Sequence, residues 1–99
     1  MIRHIVMWNF KEDFTNEENI QIAQKIKKEL EALPAKIEGI VSLEVNLSPL
    51  KSSDRDLFLN SLFTSEAALA NYQTHPEHVR VGTYVKTVLT NRTCIDYEE

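Results

Sequence analysis

The first ten residues, MIRHIVMWNF, constrain the fold more than any other stretch of this chain. Apolar side chains occupy both sets of alternate positions. One set is Ile2, His4, Val6, Trp8 and Phe10, and the other includes Ile5 and Met7. Side chains alternate between the two faces of a β-strand, so this period of two predicts a strand. Because each face carries large apolar groups, both sides of the resulting sheet need cover.

The next segment predicts a helix. Thr15 and Glu18 are three residues apart and form a capping-box pattern. Apolar residues then recur at helical spacing, at Ile22, Ala23, Ile26, Leu30 and Leu33. Pro34 follows, and because proline cannot continue an α-helix, the helix should end there.

Three further strands are predicted from alternation. IEGIVSLEVNL carries one apolar face, formed by Val41, Leu43, Val45 and Leu47. DRDLFLNSLF carries Leu57, Leu59 and Phe63 on one side and Phe58 and Leu62 on the other. The last stretch, NRTCIDYEE, carries Thr93, Ile95 and Tyr97 on one face. Cys94 has the opposite parity, and we expect it to pack on the sheet face away from the helices.

Between the third and closing strands lies a helix that should be broken. Ser65 caps a segment with Ala68, Leu69 and Tyr72, and Pro76 interrupts it before a second segment through Val88. The order is therefore strand, helix, strand, strand, helix, strand. This order predicts an α+β, ferredoxin-like βαββαβ fold, in which the helices cover one face of a four-stranded antiparallel sheet.

Length and composition exclude several classes of protein. Ninety-nine residues suggest one domain over 1–99, and a formal charge of -4 argues against nucleic acid as a partner. The apolar runs are too short to cross a membrane, and no signal peptide is evident. One cysteine, Cys94, excludes an intramolecular disulfide framework. We therefore expect a cytoplasmic location and no cofactor.

The uncovered sheet face predicts self-association. Four large apolar side chains would share it, at Ile5, Met7, Phe58 and Leu62. Such a patch usually marks a partner surface, and a second copy of the same sheet is the simplest cover. We therefore predict a homodimer formed through this face, giving a dimeric α/β barrel.

The segment YQTHPEH contains the candidate chemical groups. Tyr72 should point inward, either as a core tyrosine or as a donor to a substrate carbonyl. His75 precedes Pro76, and we expect its imidazole to bond backbone groups at the helix break. His78 lies in the first turn of the next segment, where the helix dipole favours a neutral imidazole that can act as a base. On the first strand, His4 is either a hydrogen-bonded core residue or a pocket group.

A metal site is the weaker interpretation of these histidines. His75 and His78 are three residues apart, and His4 could supply a third ligand. However, the proline separates the first two, and no acidic residue clearly completes a set. We therefore expect no metal.

Four stretches together resemble the stress-responsive dimeric A/B barrel domain family. They are MIRHIVMWNF, IEGIVSLEVNLS, the F-x-S-x-x-A-L-x-x-Y-Q-x-H-P-x-H stretch and IDYE. The resemblance implies small ferredoxin-like domains whose sheets pair face to face as a homodimer. One plant member, olivetolic acid cyclase, is a cofactor-independent polyketide cyclase that uses a tyrosine and a histidine. These match Tyr72 and His78, and a strand histidine matches His4. Leu57 stands where that enzyme has another histidine.

Residues and resemblance together lead to two functional hypotheses. In the first, the homodimer is a non-catalytic domain that binds a small apolar ligand carrying a carbonyl. In the second, it is a cofactor-independent cyclase, lyase or isomerase that uses Tyr72 and His78. A cofactor-independent monooxygenase is a further alternative by analogy of fold alone. We expect a cavity between sheet and helices, lined by His4, Val6, Trp8, Ile22, Ile26, Leu59 and His75. The alternative is that each polar group is hydrogen-bonded to backbone and that no cavity is present.

Overall fold

Four antiparallel strands form one sheet, as the alternation predicts. They are β1 (Ile2–Phe10), β2 (Ile40–Asn46), β3 (Leu57–Phe63) and β4 (Leu89–Glu98). The computed structural model describes all 99 residues. The strands are arranged in the order β2-β3-β1-β4, and every neighbouring pair is antiparallel. β1 therefore lies inside the sheet, and the ferredoxin-like α+β fold is confirmed.

The helices pack on one face of this sheet. They are α1 (Asn16–Glu31), α2 (Glu66–Thr74) and α3 (Pro76–Val88), with a short 3-10 turn at Leu33–Ala35. The predicted capping box begins α1, because the Glu18 N–H donates to Thr15 Oγ1 and the Thr15 N–H donates to Glu18 Oε1. The core beneath the helices includes Val6, Ile26 and Leu59. No helix is both long and apolar enough to cross a membrane.

The break between α2 and α3 has the predicted cause. His75 adopts an extended conformation, with φ -64° and ψ 136°, and Pro76 begins the next helix. The His75 N–H donates to the carbonyl of Tyr72 at 3.2 Å, which ends α2. Its imidazole Nδ1 accepts from the Glu77 N–H at 3.1 Å, which caps α3. His75 thus bonds backbone groups on both sides of the break.

Two predicted strand faces were wrong. A register shift between Ile40 and Ser42 turns Val41 outward, where it is 47% exposed. A second shift, between Met7 and Asn9, offsets β4, so that Cys94 pairs with Val6 rather than lying on the far face. Directly paired residues share a face of an antiparallel sheet, so Cys94 lies on the helix side. A bulge reverses the inward and outward parity beyond it, which alternation alone does not reveal.

The face away from the helices carries the predicted apolar set. Ile5, Met7, Phe58 and Leu62 are each half-buried within the single chain. Met7 pairs with Phe58, and Ile5 pairs with Ile95 of β4. The corrected register adds two exposed residues to this face, Ile95 at 55% and Tyr97 at 45% exposure. The apolar surface therefore extends across three strands.

The two glycines should respond oppositely to alanine. Gly39 has φ +90°, and an added Cβ would lie 2.6 Å from Ala68 Cβ, whereas a Cβ at Gly82 meets no atom within 4 Å. Gly39→Ala should destabilise the fold by about 1–3 kcal/mol through backbone strain and overlap. Gly82→Ala should stabilise it by about 0.5–1 kcal/mol, since alanine favours a helix interior. Urea unfolding of both variants measures this, and shifts of the same sign would contradict it.

Candidate functional site

A cavity of about 140 Å³ lies between the sheet and α3. Its volume is close to that of a protein cavity known to accept benzene, so it has room for roughly one six-membered ring. Its lining is His4, Val6, Trp8, Leu30, Leu59, Tyr72, His78, Gly82, Val85, Lys86, Leu89, Thr90 and Arg92. Most of the interior is therefore apolar, with a few polar groups at defined points.

One wall of this cavity is formed by residues of α3 at helical spacing. His78, Gly82, Val85 and Lys86 are separated by four, three and one residues along α3, which puts them on one stripe of the helix. The first strand supplies the opposite wall through its helix-facing positions. Those residues are His4, Val6 and Trp8. The cavity is thus formed between two regular elements.

Tyr72 is the most unusual residue in the lining. Its side chain is fully buried, and its hydroxyl has no hydrogen-bond partner. Burial raises the pKa of the Tyr72 phenol, with the positive charge of Arg92 acting weakly the other way. The phenol therefore stays protonated and can donate. A buried hydroxyl without a partner costs about 1–3 kcal/mol, which a bound acceptor would relieve.

His78 lies directly beside Tyr72. The centroids of the two rings are 4.3 Å apart, at an angle of 48°. Nδ1 of His78 is 3.1 Å from the carbonyl oxygen of Gln73. Because a carbonyl only accepts, Nδ1 carries the proton in this contact and Nε2 keeps a free lone pair. The neutral ring is therefore held in the tautomer that a base requires.

Burial lowers the pKa of His78, and this is the largest influence on it. The hydrogen bond to Gln73 raises the pKa, and electrostatic interaction with His4, followed by that with Arg92 and Lys86, lowers it further. The neutral imidazole predicted from the helix dipole is thus favoured mainly by removal from water.

His4 is both a hydrogen-bonded core residue and a cavity residue, the two alternatives considered from the sequence. Only 2% of it is exposed, and its Nδ1 hydrogen-bonds Asp96 Oδ1. It also lines the cavity, and its ring meets the Tyr72 ring edge-on at 6.2 Å. The buried Ser61 hydroxyl donates to the His4 carbonyl at 2.9 Å. His4 is therefore fixed by partners on both neighbouring strands.

Three residues predicted for the cavity do not line it. Ile26 is fully buried in the core, and His75 caps α3. Ile22 lies on a separate surface pocket with Phe14 and Tyr84. The cavity opens beside α3, and Leu30 is the one residue of the apolar stripe of α1 that reaches it. His4, Val6, Trp8, Leu59, Tyr72 and His78 are brought together as expected.

Sequence reasoning missed two kinds of residue at the site. Gly82, Val85 and Lys86 carry a detectable signal, because they follow His78 at helical spacing. Arg92 and Asp96 carry none, because their inward orientation depends on the register shift of β4.

The three histidines do not form a metal site. The structure instead places donor atoms of His4, Cys94 and Asp96 within 4.8 Å of one another. The Cys94 sulfur is 3.7 Å from His4 Nδ1 and 3.6 Å from Asp96 Oδ1. Burial, and then the charge of Asp96, raise the pKa of the Cys94 thiol. Since metals bind the thiolate, the set favours a His4–Asp96 hydrogen bond beside a protonated thiol.

Comparison with known proteins identifies the fold and the family of this chain. The fold is that of a dimeric ferredoxin-like protein from Bacteroides fragilis, of unknown function, with a TM-score of 0.91 and 35% identity. The match covers 99% of this chain and 95% of that one. The model of the stress responsive A/B barrel domain matches residues 2–99. The chain therefore belongs to the stress responsive A/B barrel domain family.

More distant structures share the fold alone. A dabb family protein from Mesorhizobium loti is 24% identical, with a TM-score of 0.73 over 99% of this chain and 95% of that one. The hydroxynitrile lyase from Passiflora edulis is 17% identical, with a TM-score of 0.77 over 97% and 90%. No curated protein matches the chain at a significant level.

Removing the Tyr72 hydroxyl should make the protein more stable. Its oxygen is buried without a partner, so Tyr72→Phe removes an unsatisfied polar atom while keeping the ring contacts. We expect a gain of about 1 kcal/mol in the free energy of unfolding. Tyr84→Phe, whose ring packs under Lys25, is the control and should change stability by less than about 0.5 kcal/mol. A destabilised Tyr72→Phe variant would show that the hydroxyl has a stabilising partner.

Proposed function

We propose that this chain binds a small, largely apolar carbonyl compound in the cavity beside Tyr72 and His78. The observation that carries this proposal is the buried Tyr72 hydroxyl, which has no partner within the protein. A carbonyl oxygen placed there would accept its hydrogen bond. The apolar part of the ligand would contact Val6, Trp8 and Leu59. A mostly apolar pocket with a few convergent polar groups is typical of small-molecule sites.

A second candidate function is cofactor-independent proton transfer at that carbonyl compound. It is favoured by the free Nε2 of His78, on a ring 4.3 Å from that of Tyr72. Nε2 would remove a proton from the carbon next to the carbonyl, breaking the C–H bond and forming N–H. The electron pair would move to the carbonyl oxygen, and the Tyr72 hydroxyl would donate to the developing enolate. This is the first step of lyase, isomerase and aldol-type cyclisation reactions.

Hydrogen exchange of acetophenone tests both functions. Binding is measured by calorimetry, and exchange of the methyl protons in heavy water is followed by NMR. Tyr72→Phe removes the donor, and His78→Asn retains an N–H near the Nδ1 position but removes Nε2. We expect the parent to accelerate exchange, and each variant to lower the rate by about 10²-fold.

The pH dependence of this exchange rate should follow the protonation of the His78 imidazole. Burial lowers its pKa below the ordinary 6.5, so the imidazole is neutral at neutral pH. The rate should be level there and fall only after the pH drops below 6.5, as the base becomes protonated. If the parent binds acetophenone but exchanges its protons no faster than the variants, ligand binding stands and proton transfer is wrong. If the folded parent binds no aryl ketone, the first proposal fails.

We infer that the protein acts as a homodimer through the sheet face away from the helices. Ile5, Met7, Phe58 and Leu62 lie on that face, and Ile95 and Tyr97 extend it. Burying each large side chain contributes about 1.5–3 kcal/mol. The similar protein from Bacteroides fragilis is described as dimeric, which supports the inference. The single free thiol, Cys94, is consistent with a reducing compartment such as the cytoplasm.

A charge on this face should separate the two copies. Phe58→Asp would place an unpaired carboxylate at the centre of the interface, and we expect a monomer at micromolar concentration. Ile20→Asp is the control, because Ile20 is an exposed apolar residue on α1. Analytical ultracentrifugation distinguishes the states. A parent that is monomeric, or a Phe58→Asp variant as dimeric as the control, would contradict the proposed interface.

A further inference from the structure

The charged side chains that line the cavity are both positive, and Asp96 lies behind the lining as the partner of His4. The lining includes Lys86 and Arg92 and contains no aspartate or glutamate. The whole chain has the opposite balance, with 15 acidic residues against 11 lysines and arginines. Two cations and no acid in the lining are therefore a local departure from the charge of the protein.

Neither of these cations is paired with a carboxylate, and Arg92 interacts with the Cys94 thiol. Four other cations do pair with carboxylates, at Arg3, Lys27, Lys36 and Arg80. No carboxylate lies within 4.0 Å of Lys86 or Arg92. Both contribute to lowering the pKa of His78, so their fields reach the cavity interior.

The two cations and the unpaired Tyr72 hydroxyl lie at different depths in the cavity. Lys86, Thr90 and Arg92 are exposed, so they form the mouth of the cavity. Tyr72 is fully buried and marks the interior. An apolar stretch separates the two ends, formed by residues such as Val85 and Leu89. A ligand that satisfies both ends would be polar at each end and apolar between them.

We propose that the ligand of this cavity is a small keto acid, whose carboxylate is bound at the mouth by Lys86 and Arg92. This rests on the proposed function, which places the ligand carbonyl at Tyr72. The apolar body has about the size of one ring, as the cavity volume of about 140 Å³ allows. The arginine fork matches the two oxygens of a carboxylate, and the lysine adds a second positive charge.

The position of the mouth favours a carboxylate over a phosphate. Lys86 is in the last turn of α3, where the helix dipole presents its negative end. That end disfavours a dianion more than a monoanion. Phosphate sites commonly use a helix N-terminus, and the N-terminus of α3 is occupied by the His75 cap.

Binding of matched acids and esters tests the proposal. The probes are benzoylformate and 3-benzoylpropionate, which place the carboxylate at two distances from the ketone, and their methyl esters. Phenyl phosphate and acetophenone complete the set. In the parent, at least one acid should bind about 10-fold more tightly than its ester, and added salt should weaken the acid alone.

Three variants locate the charge effect. Arg92→Met and Lys86→Met keep an unbranched side chain of similar reach and should each weaken the acid by about 5–10-fold. The affinity of the ester should change by less than about 2-fold in both, which also shows that the cavity is intact. Lys28→Met removes an equal charge from the exposed side of α1 and should leave both ligands unchanged.

Each other outcome contradicts the proposal in a distinguishable way. If acetophenone and the esters bind but neither acid binds more tightly, the carboxylate site is wrong and the proposed function stands. Acids that respond equally to Lys28→Met and Arg92→Met would show a general charge effect and overturn the site. Tighter binding of phenyl phosphate would replace the carboxylate with a phosphate. If no probe binds the folded parent, the proposed function fails and the carboxylate site fails with it.

Discussion

Burial of both faces of β1 is the constraint on which the rest of the structure depends. The helix-facing residues, including Val6 and Trp8, enter the core, and Ile5 and Met7 lie on the opposite face. All three helices pack on the face that carries Val6 and Trp8. They leave the second face, with its apolar side chains, without helices. The fold and the proposed homodimer thus have a common origin, because one layer of helices covers only one of the two apolar faces of this strand.

The helix break has a geometrical consequence for chemistry. In a continuous α-helix, residues six positions apart point about 120° away from each other around the axis. Tyr72 and His78 would then not share a cavity. Pro76 prevents continuation, His75 becomes extended, and α3 begins in a new direction. The rings consequently lie with centroids 4.3 Å apart. The joint and the candidate site are therefore one feature, and the His75 cap stabilises both.

The sequence predicts those parts of the molecule that follow from regular periodicity. Alternation in β1 and β3 places the core and the outer apolar face, and proline chemistry explains why Tyr72 and His78 converge. Two register shifts determine the side-chain orientations that alternation did not predict. The shift beside Met7 decides that Cys94 and Asp96 face the helices, and the shift near Ile40 turns Val41 out. Both arise from pairing between distant strands. Arg92 in the lining and the Asp96 partner of His4 therefore have no local signal in the sequence.

One of the two buried polar side-chain atoms without a hydrogen-bond partner lies at the cavity. The structure leaves two buried side-chain atoms without partners, Asn19 Oδ1 and the Tyr72 hydroxyl. The Tyr72 hydroxyl shares a cavity with a neutral histidine and two cations that lack carboxylate partners. A cavity, an orphan donor and unpaired charge each lower stability or leave it unimproved, so together they are poorly explained as packing. A ligand with an apolar body, an acceptor and a negative charge would relieve all three at once. This complementarity, rather than any single residue, is the physical argument for the proposed ligand.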